Sequence, residues 1–147
     1  MTDYYKNRFC RLCRSRKMRN VFNLNPSPLA NAFRKNILIK NIHYPLNIYL
    51  CLDCKHLQLV NIVNPKILFS NYLYSSGASQ VYIDHLKKYS DSLIIKYDLN
   101  NKIDSICDIG SNDGIFLHFF KKKGFSVLGI EPSKNLSTIS KKRGIKT

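Results

Sequence analysis

Two Cys-x-x-Cys pairs, Cys10/Cys13 and Cys51/Cys54, stand 37 residues apart in a chain of 147. Such a turn brings two thiolates to one side at a spacing that suits tetrahedral Zn²⁺, with Zn–S near ~2.3 Å. Two matched turns supply a closed four-sulfur set, which predicts a structural site because no coordination position is left for water. His56 follows the second pair but is surplus to four sulfurs and reads as a surface or packing residue. The fifth cysteine, Cys107, has apolar neighbours in a strand-like run and is expected to be a small buried hydrophobe.

A second constellation runs Asp108-Ile-Gly-Ser-Asn-Asp-Gly114, between the apolar run 103–109 and an amphipathic stretch beginning at Ile115. A glycine-bearing turn between a parallel strand and a helix N-terminus is where α/β sheets bind nucleotide-like ligands. The spacing Gly110-x-Asn112-x-Gly114 is shorter than Gly-x-Gly-x-x-Gly and argues against NAD, whose pyrophosphate rests on the helix N-terminus. Asn112 holds the middle position, where asparagine tolerates positive φ and its amide can donate to a ligand carboxylate. Glu131 closes a second apolar run 21 residues past Gly110, a distance that suits a carboxylate gripping ribose hydroxyls. S-adenosylmethionine carries no phosphate. It needs backbone approach to its methionine tail (Gly110, Gly114), polar anchors nearby (Asp108, Asn112) and a ribose carboxylate (Glu131). Ser111 and Pro132 complete the expected cofactor-binding set. Without Asp108, the flanking runs and Glu131, the turn would be no more than a strand–helix connection.

These groups must be carried by two different kinds of sequence. Residues 1–75 hold four of the five cysteines and little helical periodicity. Asn25-Pro26-Ser27-Pro28 signals a loop and 29–33 a short helix, and the runs 46–52 and 57–63 lean to strand on either side of Cys51 and Cys54. From 76 to 147 the pattern becomes helical and then alternating. Tyr82, Leu86, Tyr89, Leu93 and Tyr97 mark one face of a helix over 80–98. Strand (103–109), helix (114–123), strand (125–130) and helix (133–143) follow, with Ser133 as N-cap, and Ile145 opens a third strand.

The net charge is +15, yet lysine, asparagine and isoleucine are abundant throughout, so compositional drift accounts for the charge better than an anionic partner does. A nucleotide-sugar diphosphate would also suit a basic protein. Arg8, Arg11, Arg14, Arg16, Lys17 and Arg19 surround the first cysteine pair, as in a small zinc ribbon that contacts nucleic acid. That is the alternative function. Against it, the stretch has no aromatic residue beyond Phe9 and no helix suited to a groove, so a solvated basic loop is expected and nucleic acid is not an expected partner. No apolar run reaches the roughly 18–20 residues of a membrane span and no secretory leader opens the chain, so no membrane partner and a cytoplasmic location are expected.

From about Arg8 onward the ordered motifs resemble the S-adenosylmethionine-dependent sugar C-methyltransferases, which methylate C3 of deoxy-sugar nucleotides. The matching segments are Pro28 to Phe33, Tyr44-Pro45-Leu46, Cys51 to Cys54 with Gln58-Leu59, Leu68 to Tyr74, Asp108 to Gly114 and Leu128 to Ser133. Lys55-His56 departs from the small or apolar pair usual after the second cysteine turn. The resemblance implies an α+β zinc-binding module (1–75), then the start of an α/β Rossmann-like class I methyltransferase domain (76–147). It implies Zn²⁺ on Cys10, Cys13, Cys51 and Cys54, S-adenosylmethionine as methyl donor and a nucleotide-sugar substrate bordered by Tyr72 and Tyr74. The family's acid/base residues lie beyond position 147, so no catalytic residue is assigned. A truncated sheet, inactive alone and completed by a partner chain, is the expectation.

Overall fold

The computed structural model describes residues 3–33, 35–70 and 72–147, in two compact units, Met1–Leu68 and Phe69–Thr147. In the first unit β1 (Tyr4–Lys6) pairs antiparallel with β5 (Asn61–Val63). A second antiparallel sheet has the order β2 (Met18–Ser27), β3 (Tyr44–Cys51), β4 (Leu57–Leu59). The apolar run 46–52 is thus mostly β3, but the run 57–63 is divided. Val60 is buried, donates to the Asn47 carbonyl and accepts from the Asn7 N–H, and the chain passes there from one sheet to the other.

Two local expectations fail. Strand β2 continues through Asn25-Pro26-Ser27, which reads as a loop in sequence. Its register shifts between Leu24 and Ser27, so Pro26 sits in the irregularity of an edge strand, where its missing N–H breaks no ladder bond. Residues 29–33 form a turn rather than a short helix: the Ala32 N–H meets the Leu29 carbonyl, and Asn31 stands at φ 61°, which ends helical propagation.

The second unit opens with a 3₁₀ turn at Ser76–Ala78 after the short α1 (Pro65–Phe69) that straddles the unit boundary. Helix α2 (Gln80–Lys96) starts at Ser79, whose hydroxyl accepts from the Tyr82 N–H. Then come β6 (Ser105–Ile109), α3 (Ile115–Lys122), β7 (Ser126–Ile130) and α4 (Lys134–Lys142). β6 and β7 are parallel, from Ser105 opposite Ser126 to Ile109 opposite Ile130. On the other edge of β7, Leu128 bridges Lys146 in parallel, the beginning of a third strand. Leu117, Phe120, Leu136 and Ile145 are almost fully buried, and the Phe120 ring meets Phe116 and Phe125 edge-on at 5.2 and 6.0 Å. Each such burial contributes about 1.5–3 kcal/mol.

Among the described residues only one face of this parallel pair is covered. Ser105, Cys107, Ile109, Ser126, Leu128 and Ile130 point to the other face, and Ile109 is 82% exposed. Cys107 is therefore exposed and not the buried hydrophobe expected, because strand alternation puts it beside Ile109 on the bare side.

The segment before α2, counted from sequence with the first module, packs with the second unit. Lys134 N–H donates to the Ser70 carbonyl, and Tyr72 is held through its N–H on Ser133 Oγ and Asn135 Oδ1 and its carbonyl on Asn135 Nδ2. Ser133 does occupy the N-cap position of α4, but its hydroxyl serves Tyr72 and Asn135 instead of capping. The central tie is Asp113, which is fully buried. Its Oδ2 accepts from Ser75 Oγ (2.6 Å), the Gly77 N–H (2.8 Å) and the Arg143 guanidinium (3.3 Å), and its Oδ1 accepts from the Ile115 N–H at the start of α3.

Replacing that carboxylate strands four donors. Asp113→Ala is expected to destabilise the second unit by about 3 kcal/mol and to release the 75–77 segment. Urea unfolding together with amide exchange at Gly77 checks this; a loss under about 1 kcal/mol with Gly77 still protected would refute the anchoring role.

Candidate functional site

The two cysteine turns are built alike. Cys10 N–H donates to the Ser15 carbonyl and Arg14 N–H to the Cys10 carbonyl; Cys51 N–H donates to His56 and Lys55 N–H to Cys51 in the same pattern. Arg14 and Lys55, four residues after each leading cysteine, sit at φ 64° and 63°. Leading Cys10 and Cys51 are buried, and trailing Cys13 and Cys54 are exposed. Across the turns, Cys10 Sγ lies 3.6 Å from Cys54 Sγ and Cys13 Sγ 3.5 Å from Cys51 Sγ, and all four sulfurs fall within 4.8 Å of one another. A regular tetrahedron with ~2.3 Å Zn–S bonds has edges of about 3.8 Å. The donor set fits Zn²⁺.

The electrostatics agree with a metal centre. Backbone N–H groups, first those of Cys13 and Cys54 respectively, hold the Cys10 thiol below its ordinary value and bring Cys51 to about 6. At Cys54 the His56 N–H pulls downward, but the Cys13 sulfur, burial, and then the sulfurs of Cys10 and Cys51 push it up to about 12. The turns thus favour the first thiolates, whereas four negative sulfurs together require a dication.

In the second unit Gly110, Asn112 and Gly114 stand at φ 85°, 52° and 76°, so alternate residues of the turn are left-handed and Asn112 meets the expectation for its position. A cleft of about 270 Å³ is lined on one side by Asp108, Gly110, Ser111 and Asn112, and on the other by Tyr82, Leu86 and Tyr89 of α2. Ser76, Ile115 and Phe116 complete it, with Tyr89 and Phe116 stacked at 5.7 Å. A Cβ on Gly110 would meet no atom within 4 Å, so its backbone is open to approach. Burial, and secondarily the charge of Glu131, raises the Asp108 carboxyl above the usual carboxylate range. Among the described residues the buried Ser111 hydroxyl finds no hydrogen-bond partner.

Gly114 and Glu131 support this cleft rather than line it. Gly114 packs beneath the turn, where a Cβ would strike Ser140 and Ile145. Glu131 accepts the Asn112 N–H on Oε2 and the Ser133 N–H on Oε1, both at 2.8 Å, and thereby ties the ends of β6 and β7 together. The Asn112 amide is engaged with the preceding segment, its oxygen on the Ser76 N–H and its nitrogen on the Tyr74 carbonyl. Pro132 is exposed, Tyr72 is half-buried and the Tyr74 ring is half exposed. Sequence reasoning missed Asp113 and the aromatic wall of α2. The helical period showed that Tyr82, Leu86 and Tyr89 share a face, but not that this face overlooks the turn.

Residues 10–69 match the family model described as "Putative zinc binding domain". The chain is 28% identical over 144 residues to the C-methyltransferase NovU of Streptomyces niveus, which covers 94% of this chain. It spans about a third (33%) of the length of that curated relative. Family model and sulfur geometry together support zinc as the metal. Among the described residues no helix is long and apolar enough to cross a membrane.

The zinc assignment predicts one metal per chain by mass spectrometry. Cys51→Ser should lower affinity by at least the ~10–100-fold typical even of losing a ligand's hydrogen-bonded supporter, with exchange protection lost in β3 and β4. A variant that retains full zinc at one equivalent would refute the four-sulfur site. For Asp108 the sign is opposite to that of a salt-bridged carboxylate. Its folded value lies above its unfolded value, so the folded state binds the proton more tightly and stability falls as pH rises from the unfolded value through the folded one. Asp108→Asn should therefore raise the melting temperature at pH 7 by roughly 1–4 °C and flatten the acid-side pH dependence; lower stability at pH 7 would contradict this.

Proposed function

We propose that this chain is the N-terminal portion of an S-adenosylmethionine-dependent C-methyltransferase acting on a nucleotide-linked deoxy-sugar, with a structural zinc module ahead of a Rossmann-like domain. The observation that carries the reading is the turn itself. At the carboxyl end of a parallel strand it presents an approachable Gly110 backbone and a half-buried Asp108 carboxyl to one cleft. The strand order 145–147, β7, β6 corresponds to one half of a doubly wound sheet. In such sheets ligands bind outside the carboxyl ends of the strands, where the strand order reverses. Similarity to a C-methyltransferase supports the reaction class.

S-adenosylmethionine, when bound, supplies an electrophilic methyl group. The chain's own residues would bind and orient the donor. Gly110 admits its amino-acid tail, Asp108 offers a polar anchor to it, Ser111 contributes its backbone to the cleft lining, and Tyr82, Tyr89 and Phe116 limit water in the cleft. Glu131 keeps the turn in shape through Asn112 and retains lone pairs for ribose hydroxyls. Tyr72 and Tyr74, fixed through their backbones to Asn135, Ser133 and Asn112, would border the sugar. No residue of this chain is assigned the removal of the proton from the sugar carbon.

Calorimetry with S-adenosylhomocysteine tests the reading. The isolated chain should bind with Kd of about 0.1–1 mM, and Gly110→Ala, strained at φ 85° and projecting into the approach, should weaken binding at least ~10-fold. Absence of binding, or a preference for NADH, would overturn it.

A further inference from the structure

Five of the chain's seven arginines, Arg8, Arg11, Arg14, Arg16 and Arg19, fall within 12 residues around the first cysteine turn, although lysine outnumbers arginine 17 to 7 overall. Drift toward a lysine-rich composition explains the lysines and leaves this concentration of arginine unexplained. All five are exposed. The first unit carries twelve lysines and arginines against two acids, Asp3 and Asp53, and Asp53 faces Lys17 at 3.6 Å. Among the described residues none of the five arginines has a carboxylate within ion-pair distance.

The frame beneath them is fixed. The Arg14 N–H is bonded to Cys10, the Arg11 N–H to Gln58 Oε1 (3.0 Å), and Arg19 stands opposite Leu50 in the β2–β3 ladder. The Arg14 guanidinium lies 5.5 Å from the centre of the Phe9 ring, which is 37% exposed. Guanidinium groups pair with phosphate oxygens through two N–H groups and stack on flat rings. Exposed arginines around an accessible aromatic ring suit single strands, which need a cationic track and a stacking surface rather than a helix for a groove. The stretch that reads as a solvated loop in sequence has a backbone held by hydrogen bonds at Arg11, Arg14 and Arg19, and it carries an excess of exposed positive charge.

We propose that the arginine-bearing cysteine turn is a binding surface for single-stranded nucleic acid, gripping phosphates with Arg8, Arg11, Arg14, Arg16 and Arg19 and stacking a base on Phe9. It does not depend on the methyl-transfer reading.

The test is fluorescence anisotropy of the zinc-loaded full chain with a labelled 20-nucleotide oligo-dT or oligo-U in 50–200 mM KCl. Five phosphate contacts give a slope of log K against log salt of about −3.5, a roughly hundredfold loss across that range. The triple variant Arg11→Gln, Arg14→Gln, Arg16→Gln should reduce the slope to about −1.4. The matched variant Lys134→Gln, Lys141→Gln, Lys142→Gln, which removes equal charge from α4, should leave it unchanged. Should the glutamine variant lose zinc, the corresponding triple arginine-to-lysine variant must keep the wild-type slope. Absence of salt-dependent binding, equal loss in both triple variants, loss of slope in the lysine variant, or displacement of the oligomer by an equimolar nucleoside diphosphate would each overturn the proposal.

Discussion

The cleft depends on one buried carboxylate. Asp113 has no exposed surface, yet it accepts from a hydroxyl, two backbone N–H groups and a guanidinium. In a low-dielectric setting such a charge is tolerable only when its acceptor sites are filled, so the groups that fill them are constrained to stay. They come from the segment before α2, from the start of α3 and from the end of α4. The turn that carries Gly110 and Asn112 is thereby held against all three. Neighbouring Asn112 repeats the device on a smaller scale, with its amide bonded to Tyr74 and Ser76.

The first unit meets a different shortage. Among its described residues the buried apolar side chains are Cys10, Tyr44, Cys51 and Val60, and two of these four are proposed metal ligands. So thin a core offers little to oppose the conformational entropy of its chain, and a metal staple is the usual remedy at this size. The same centre fixes the backbone from which the arginines project. Stability and surface chemistry are in this way tied to one cluster of sulfur atoms.

Several parts of this arrangement were legible from residue types. Matched Cys-x-x-Cys spacing is enough to expect a four-sulfur cluster, because the local turn orients both thiolates whatever surrounds it. The left-handed Asn112 follows from its place between two glycines, and α2 from its 3–4 periodicity. What escaped depends on neighbours remote in sequence. Pro26 reads as a loop signal until β3 supplies a ladder with an irregularity at that point. Cys107 reads as buried until the fold shows which face of β6 is covered. Asp113 looks like one more polar turn residue because its partners Ser75, Gly77 and Arg143 lie 30–38 positions away.

The sequence by itself determined the chemistry on offer: four thiolates at metal spacing, a glycine-bearing turn after an apolar run, a carboxylate 21 residues further on, and a basic stretch around the first cysteines. These are set by side-chain type and by local backbone geometry, which a few consecutive residues suffice to specify. Tertiary structure alone decided how each group is used. It turned Glu131 and Asn112 toward holding the site together, opened Gly110 to the cleft while closing Gly114 beneath it, and left five arginines without acidic partners among the described residues. The physical reason is that burial, hydrogen-bond partnership and charge pairing are properties of neighbours in space, and most of those neighbours are far away along the chain.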